Sequence, residues 1–246
     1  MTSVLTPRRR RGLELLDAPD VDPRVVTRSL DDVALANRLF GGTRAVLAEL
    51  GPVLARLPTR ATLLDVGTGA GDIPARARGV AARCGVDLTT VGVDAAEALA
   101  REVRLRGRTC AVVCADGRAL PFADDSVDVV TCSQVLHHFV DDDARALLRE
   151  MDRVARVRVI VSDLRRSWVA AAGIWLASYP LRFHPVSRHD GVVSVMRGFT
   201  APELGAVVGD AVGCPTRVRR RLGWRLTASW SPNCQGRGTR DEGRGR

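Results

Sequence analysis

The sequence predicts a doubly wound α/β fold, a mostly parallel sheet with helices on both faces, and three observations carry that prediction. Between residues 61 and 163 short apolar runs alternate with helix-patterned stretches, the rhythm of strands joined by crossover helices. The first run, Leu63-Leu64-Asp65-Val66, passes into Gly67, Gly69 and Gly71, where alternate glycines let a strand turn sharply into a helix and bring backbone close to a ligand. The chain has 246 residues, 46% hydrophobic and 26% charged, enough to bury one large core.

In chain order, residues 1–28 read as a flexible basic N-terminal segment, 29–230 as the folded domain and 231–246 as a disordered tail. Residues 29–57 are helix-patterned, with Ser29 three residues before Asp32 as an approximate capping box. Gly41-Gly42 divides this stretch into two helices. Candidate strands are 62–66, 88–93, 110–114, 127–132 and 158–162, with helices over 73–84, 95–105 and 142–154 between them. Ligands of such sheets sit at the carboxyl ends of the strands. Residues 167–179 read as an apolar helix, 182–191 as irregular, and Thr200-Ala201-Pro202-Glu203 opens a capped helix. Segments 217–221 and 224–229 close the sheet as a hairpin around Leu222-Gly223.

A formal charge of +9 and a pI near 10.6 ordinarily direct attention to polyanions. Here all 37 basic residues are arginine and they are spread along the chain, dense only at 8–11 and 219–221. That distribution reflects compositional bias more than a binding surface, and a nucleic-acid partner is not expected. The six cysteines form no Cys-x-x-Cys pair, which disfavours zinc and fits reduced thiols. No signal-like apolar region follows the N-terminal arginines, and the longest apolar run, 168–177, is far short of a membrane span. A cytoplasmic protein is the expectation. The sequence carries no signal for its oligomeric state.

The glycine turn excludes two cofactor classes. A dinucleotide fingerprint counted from Gly67 and Gly69 requires glycine where Asp72 stands, and a carboxylate there repels a pyrophosphate. A Walker loop requires lysine, and the chain has none. The remaining pattern, Asp65-x-Gly67-x-Gly69-x-Gly71, resembles the class I S-adenosylmethionine-dependent methyltransferases. The resemblance continues through Val91-Gly92-Val93-Asp94, Ala115-Asp116-Gly117, Leu120-Pro121-Phe122 with Asp125, Ser126 and Asp128, and the run Ser133 to Phe139, so it covers about 62–162. It is nearest the small-molecule and quinone branch. It implies a seven-stranded Rossmann-like sheet, a helical lid before the first strand and an insert after the fifth.

The resemblance also implies S-adenosylmethionine as cofactor, held by Asp65, Gly67, Thr68, Gly69, Gly71, Asp94, Ala95, Asp116, Gly117 and Ser133. Asp94 is expected on the ribose hydroxyls, Asp116 and the Gly117 amide on adenine. Asp65 and Asp72 suit a cationic sulfonium and ammonium. Asn37 and Arg38, before the paired glycines, are expected to face the cofactor from the lid.

Methyl transfer needs alignment, exclusion of water and, for a phenol or an acidic carbon, a base. Of four histidines, His137 and His138 follow the fourth strand, while His189 stands beside Asp190, which can orient it. These three are the candidate catalytic residues. The insert 168–197, with Trp168, Ile174, Trp175, Leu176 and Tyr179, is expected to cover an apolar small-molecule acceptor. Enzymes that methylate base amines carry an N/D-P-P-Y turn, replaced here by Ser133-Gln134-Val135-Leu136. Metal-dependent catechol enzymes carry an Asp-Asn pair, replaced by Asp163-Leu164, so no metal is expected. Two alternatives stay open: an RNA or protein methyltransferase using the arginines, and a non-catalytic cofactor-binding subunit.

Overall fold

A computed structural model describes residues 6–232, apart from 19–20, 98–99, 102–103, 105–106, 108–110 and 215. Strands β1 (Arg60–Val66), β2 (Asp87–Asp94), β3 (Ala111–Cys114), β4 (Val127–Ser133), β5 (Ala155–Leu164), β6 (Arg217–Arg221) and β7 (Arg225–Trp230) form one sheet. Their order is β3-β2-β1-β4-β5-β7-β6. The first five pair in parallel, and β7 runs antiparallel between β5 and β6. Strand order reverses between β1 and β4, opening the crevice where sheets of this class take ligands.

Helices α1 (Pro23–Leu39), α2 (Gly42–Leu54), α3 (Asp72–Arg83), α4 (Asp141–Val154), α5 (Trp168–Ala177), α6 (Pro185–Arg197) and α7 (Ala201–Val212) surround it. Side chains alternate across a strand, so neighbouring residues feed separate cores. Leu63, Val129 and Ile160 pack with Leu50 and Leu54 of α2 and Ala77 of α3. Leu64, Val130 and Val161 pack on the other face with Leu147, Leu148 and Met151 of α4 and Leu204 of α7. This double burial explains why the strands read as continuous apolar runs.

Several expectations are corrected. The first helix begins at Pro23, where Asp22 accepts from the Arg24 amide; Ser29 lies buried within it and accepts from the Ser187 hydroxyl. Residues 185–191 belong to α6, because His184 accepts from the Val186 amide and Pro185 supplies a preset first turn. The N-terminal segment is not loose over 7–17. Arg166 Nε donates to the Pro7 carbonyl, Arg9 Nε to the Arg197 carbonyl, and the Leu15 and Leu16 amides to Asp190. Cys84, Cys114 and Cys132 are free as expected, whereas Cys214 is disulfide-bonded. Part of the helix expected over 95–105, Cys110, and residues 233–246 of the tail lie outside the described residues.

The α1–α2 joint rests on the β6–β7 turn with no room for a side chain. Gly41 and Gly223 have φ of 79° and 73°, and a Cβ on Gly223 would lie 1.9 Å from the Phe40 carbonyl oxygen. This contact fixes the N-terminal helices over the strand ends.

Candidate functional site

At the carboxyl ends of β1, β2 and β4 lies a cavity of about 730 Å³. The turn after β1 is held down by the Gly67 and Thr68 amides, which donate to the Val93 carbonyl at 2.8 and 3.0 Å. Gly69 (φ 50°) then turns its amide to Asp94 Oδ2 at 3.1 Å, while Ala96 donates to Oδ1 at 3.1 Å. Thus two backbone amides fix the Asp94 carboxylate at the end of β2, and burial raises its pKa. Asp65 lies beneath the turn with Thr131 Oγ1 donating to it at 2.7 Å. Burial, reinforced by Asp72 and Asp94, pushes its pKa up to about 7 against the bond from Thr131.

Among the described residues the walls carry Asp17, Asp65, Asp72, Asp94 and Glu97 but no arginine, in a chain with 37 of them. Ser133 Oγ lies on the floor, buried and without a hydrogen-bond partner. Such a donor set favours a ligand that brings positive charge and hydroxyl or amine groups.

Beside this cavity the N-terminal segment crosses the end of the sheet. Glu14 is buried, 3.7 Å from His137 Nε2 and 3.7 Å from His138 Nε2. Arg197 of α6 donates to Glu14 at 3.1 Å and to Asp17 at 3.2 Å, and its NH1 lies 3.2 Å from His138 Nδ1. His137 bonds Asp163 through Nδ1 at 2.8 Å, and its backbone amide donates to the same carboxylate at 3.0 Å. Burial opposes its charge, but Asp163 and Glu14 prevail and raise its pKa to about 9. The two carboxylates thus favour the imidazolium form of His137. The ligating atoms of Glu14, His137 and His138 lie within 4.8 Å of one another, yet Arg197 and protonated His137 already supply the positive charge there.

A second cavity, of about 470 Å³, opens between α1, α5, α6 and the β6–β7 turn. Phe40, Leu164, Ile174, Phe183 and Val195 give it apolar walls. Leu16, Asp17, Val33, Asn37, Gln134 and His138 line both cavities and form the seam between them. Gln134 follows β4 at a left-handed φ of 58°, and its side-chain amide donates to Asn37 Oδ1, joining sheet to lid.

Residues 64–161 match the methyltransferase domain family. The chain is 34% identical over 116 residues to the uncharacterized methyltransferase YcgJ of Bacillus subtilis, covering 44% of this chain and 42% of that protein. It is 31% identical over 157 residues to a demethylmenaquinone methyltransferase of Roseiflexus castenholzii, covering 61% and 63%. A SAM-dependent methyltransferase structure from Aquifex aeolicus shares the fold, with a TM-score of 0.57 at 18% identity over 86% of this chain and 99% of that one. Residues 64–161 thus carry a methyltransferase domain on the fold of the SAM-dependent methyltransferases. The chain spans about half the length of the curated relatives it matches.

The first cavity gathers Asp65, Gly67, Thr68, Gly69, Asp94, Ala95, Gly117 and Ser133. Gly71 stands behind it as the left-handed cap of α3. Asp116 departs from its expected place: its carboxylate accepts from Arg118 at the surface, and it does not line the cavity. Asn37 lines both cavities, whereas Arg38 is exposed and lines neither. His189 likewise lines neither; it is about half exposed, its ring bonded to Asp190. Of the insert, Val169, Ala170, Gly173 and Ile174 line the second cavity, while Trp168, Trp175, Leu176 and Tyr179 face outward. Glu14, Asp17, Gln134 and Arg197 went unnoticed in sequence, since their partners lie far away in the chain.

Proposed function

We propose that the protein transfers a methyl group from S-adenosylmethionine to a hydroxyl, or a ring carbon, of an apolar small molecule such as a phenol, quinone or polyketide-type metabolite. The observation that carries this reading is the pair of adjoining cavities, one carboxylate-lined and one apolar, with His138 lining both. The names of relatives that methylate demethylmenaquinone agree with an apolar ring acceptor. When bound, S-adenosylmethionine supplies a methyl group made electrophilic by its sulfonium.

The chain's own residues supply the rest. Asp94 offers its two carboxylate oxygens to the ribose hydroxyls, Ser133 and the Gly117 amide offer polar contacts deeper in the cavity, and Asp65 and Asp72 attract the positive groups. The apolar walls of the second cavity orient the acceptor ring and exclude water. His138 takes the proton of the reacting hydroxyl. His137, already protonated and bound to Asp163, fixes the loop and is not the base. His189, outside both cavities, has no role in the chemistry. The reaction uses no metal.

Incubating the protein with isotopically labelled S-adenosylmethionine and a bacterial small-molecule extract, followed by mass spectrometry, identifies the acceptor. With that acceptor, His138→Ala lowers kcat by about 10²–10⁴-fold and leaves cofactor affinity unchanged, while His189→Ala changes neither. Equal activity of His138→Ala and the parent protein rejects the base assignment. Methylation confined to RNA or protein, or none with any acceptor, rejects the small-molecule reading.

A further inference from the structure

The second cavity is lined by a buried arginine whose Nε has no hydrogen-bond partner. Arg225 opens β7, opposite Leu164 of β5 in the antiparallel register, and lines the apolar cavity. Its side chain is only 5% exposed in relative area, and its buried Nε has no hydrogen-bond partner. Burial draws its pKa down to about 10, opposed by the charge of Asp163, a carboxylate already bound to His137.

The carboxylates around the cavity are engaged elsewhere. Glu14 accepts from Arg197 and Ser194, and Asp17 from Arg197. Asp32 accepts from the His184 amide, and Asp190 from the amides of Leu15 and Leu16. Among the described residues, Arg225 is the one arginine lining this cavity, and its Nε has no hydrogen-bond partner.

A buried guanidinium whose donors are not all satisfied is a costly arrangement in a protein, and arginine brings a planar fork that matches a carboxylate bidentately. We infer that Arg225 is the anion subsite of the acceptor cavity, and that the acceptor is an apolar ring acid whose carboxylate pairs with this guanidinium. A phosphate, with its higher charge and third oxygen, calls for more donors than one arginine in an apolar wall. The inference rests on the small-molecule methyltransferase reading for its meaning in turnover, but the pairing itself is a binding property that needs no catalysis.

The test uses the full-length protein with bound S-adenosylhomocysteine and three probes: 1-hydroxy-2-naphthoate, its methyl ester and 1-naphthyl phosphate. In calorimetric titration the carboxylate binds at least about tenfold more tightly than the ester, the scale of one charge-assisted hydrogen-bond pair. In Arg225→Met this preference disappears, while S-adenosylhomocysteine affinity is unchanged. Arg225→Lys retains part of the preference. The melting temperature of Arg225→Met, measured without acceptor, rises, because a buried guanidinium whose donors are not all satisfied has been replaced by an apolar chain of similar length. Equal affinity for acid and ester, persistence of the preference in Arg225→Met, or a lowered melting temperature in that variant overturns the inference. Tighter binding of the naphthyl phosphate overturns the carboxylate assignment. Loss of cofactor binding in the parent protein would instead reject the function proposed above, so the two failures are distinguishable.

Discussion

Asp94 owes its orientation to two backbone amides, one from the glycine turn and one from its own following loop. Its replacement by alanine removes the carboxylate that the proposed function places on the ribose hydroxyls. Asp94→Ala therefore weakens S-adenosylmethionine binding by about 1–3 kcal/mol, read by calorimetry. Asp65 imposes a pH dependence on the same affinity. Its pKa of about 7 stands above the ordinary 3.8, so the carboxylate is charged above neutrality and neutral below it. A cationic ligand favours the charged form, so affinity falls as pH drops from 8 to 6, and Asp65→Asn flattens this dependence. Both residues were legible in sequence because each ends a strand a fixed distance from a turn. Asp116 was equally legible in position but not in direction, since Arg118, two residues on, captures its carboxylate.

The elements that build the first cavity follow from local pattern, apolar runs passing into alternating glycines, and the capping box at Thr200 and the hairpin glycine mark elements elsewhere in the fold. The second cavity was legible only in part. The insert's apolar residues signalled a covering helix, yet which of them face inward depends on how α5 lies against α6 and the lid. Helix α5 is apolar on every side, so periodicity alone could not choose its face. The joint between lid and hairpin is a firmer constraint. With a Cβ, Gly223 would collide with the Phe40 carbonyl in a left-handed backbone conformation. Gly223→Ala accordingly destabilises the fold by about 2 kcal/mol or more in urea unfolding. The variant also loosens cofactor binding, because α1 lines both cavities.

At the scale of the whole molecule, charge is sorted. Arginines tie the N-terminal segment down, while among the described residues the charged walls of the first cavity are carboxylates, with no arginine. The buried His137–Asp163 pair gives stability a defined pH window. His137 rises from 6.5 to about 9 on folding, so its contribution is fully present below 6.5 and lost as pH rises through 9. Asp163 is lowered, chiefly by His137 against the effect of burial; its contribution is present above its ordinary value of 3.8 and lost as pH falls. The melting temperature consequently drops between pH 6.5 and 9, on the order of 5 °C, and His137→Gln abolishes that slope in a series of thermal melts.

The bond from Arg197 to Glu14 spans 183 positions of the chain. During synthesis the ribosome therefore releases the strap around Glu14 long before its anchors on α6 exist. For most of that time the strap has nothing to hold, and the His137–His138 loop lacks its outer wall. Closing so long a loop is a late and entropically costly event, so the second cavity is among the last parts of the molecule to be completed.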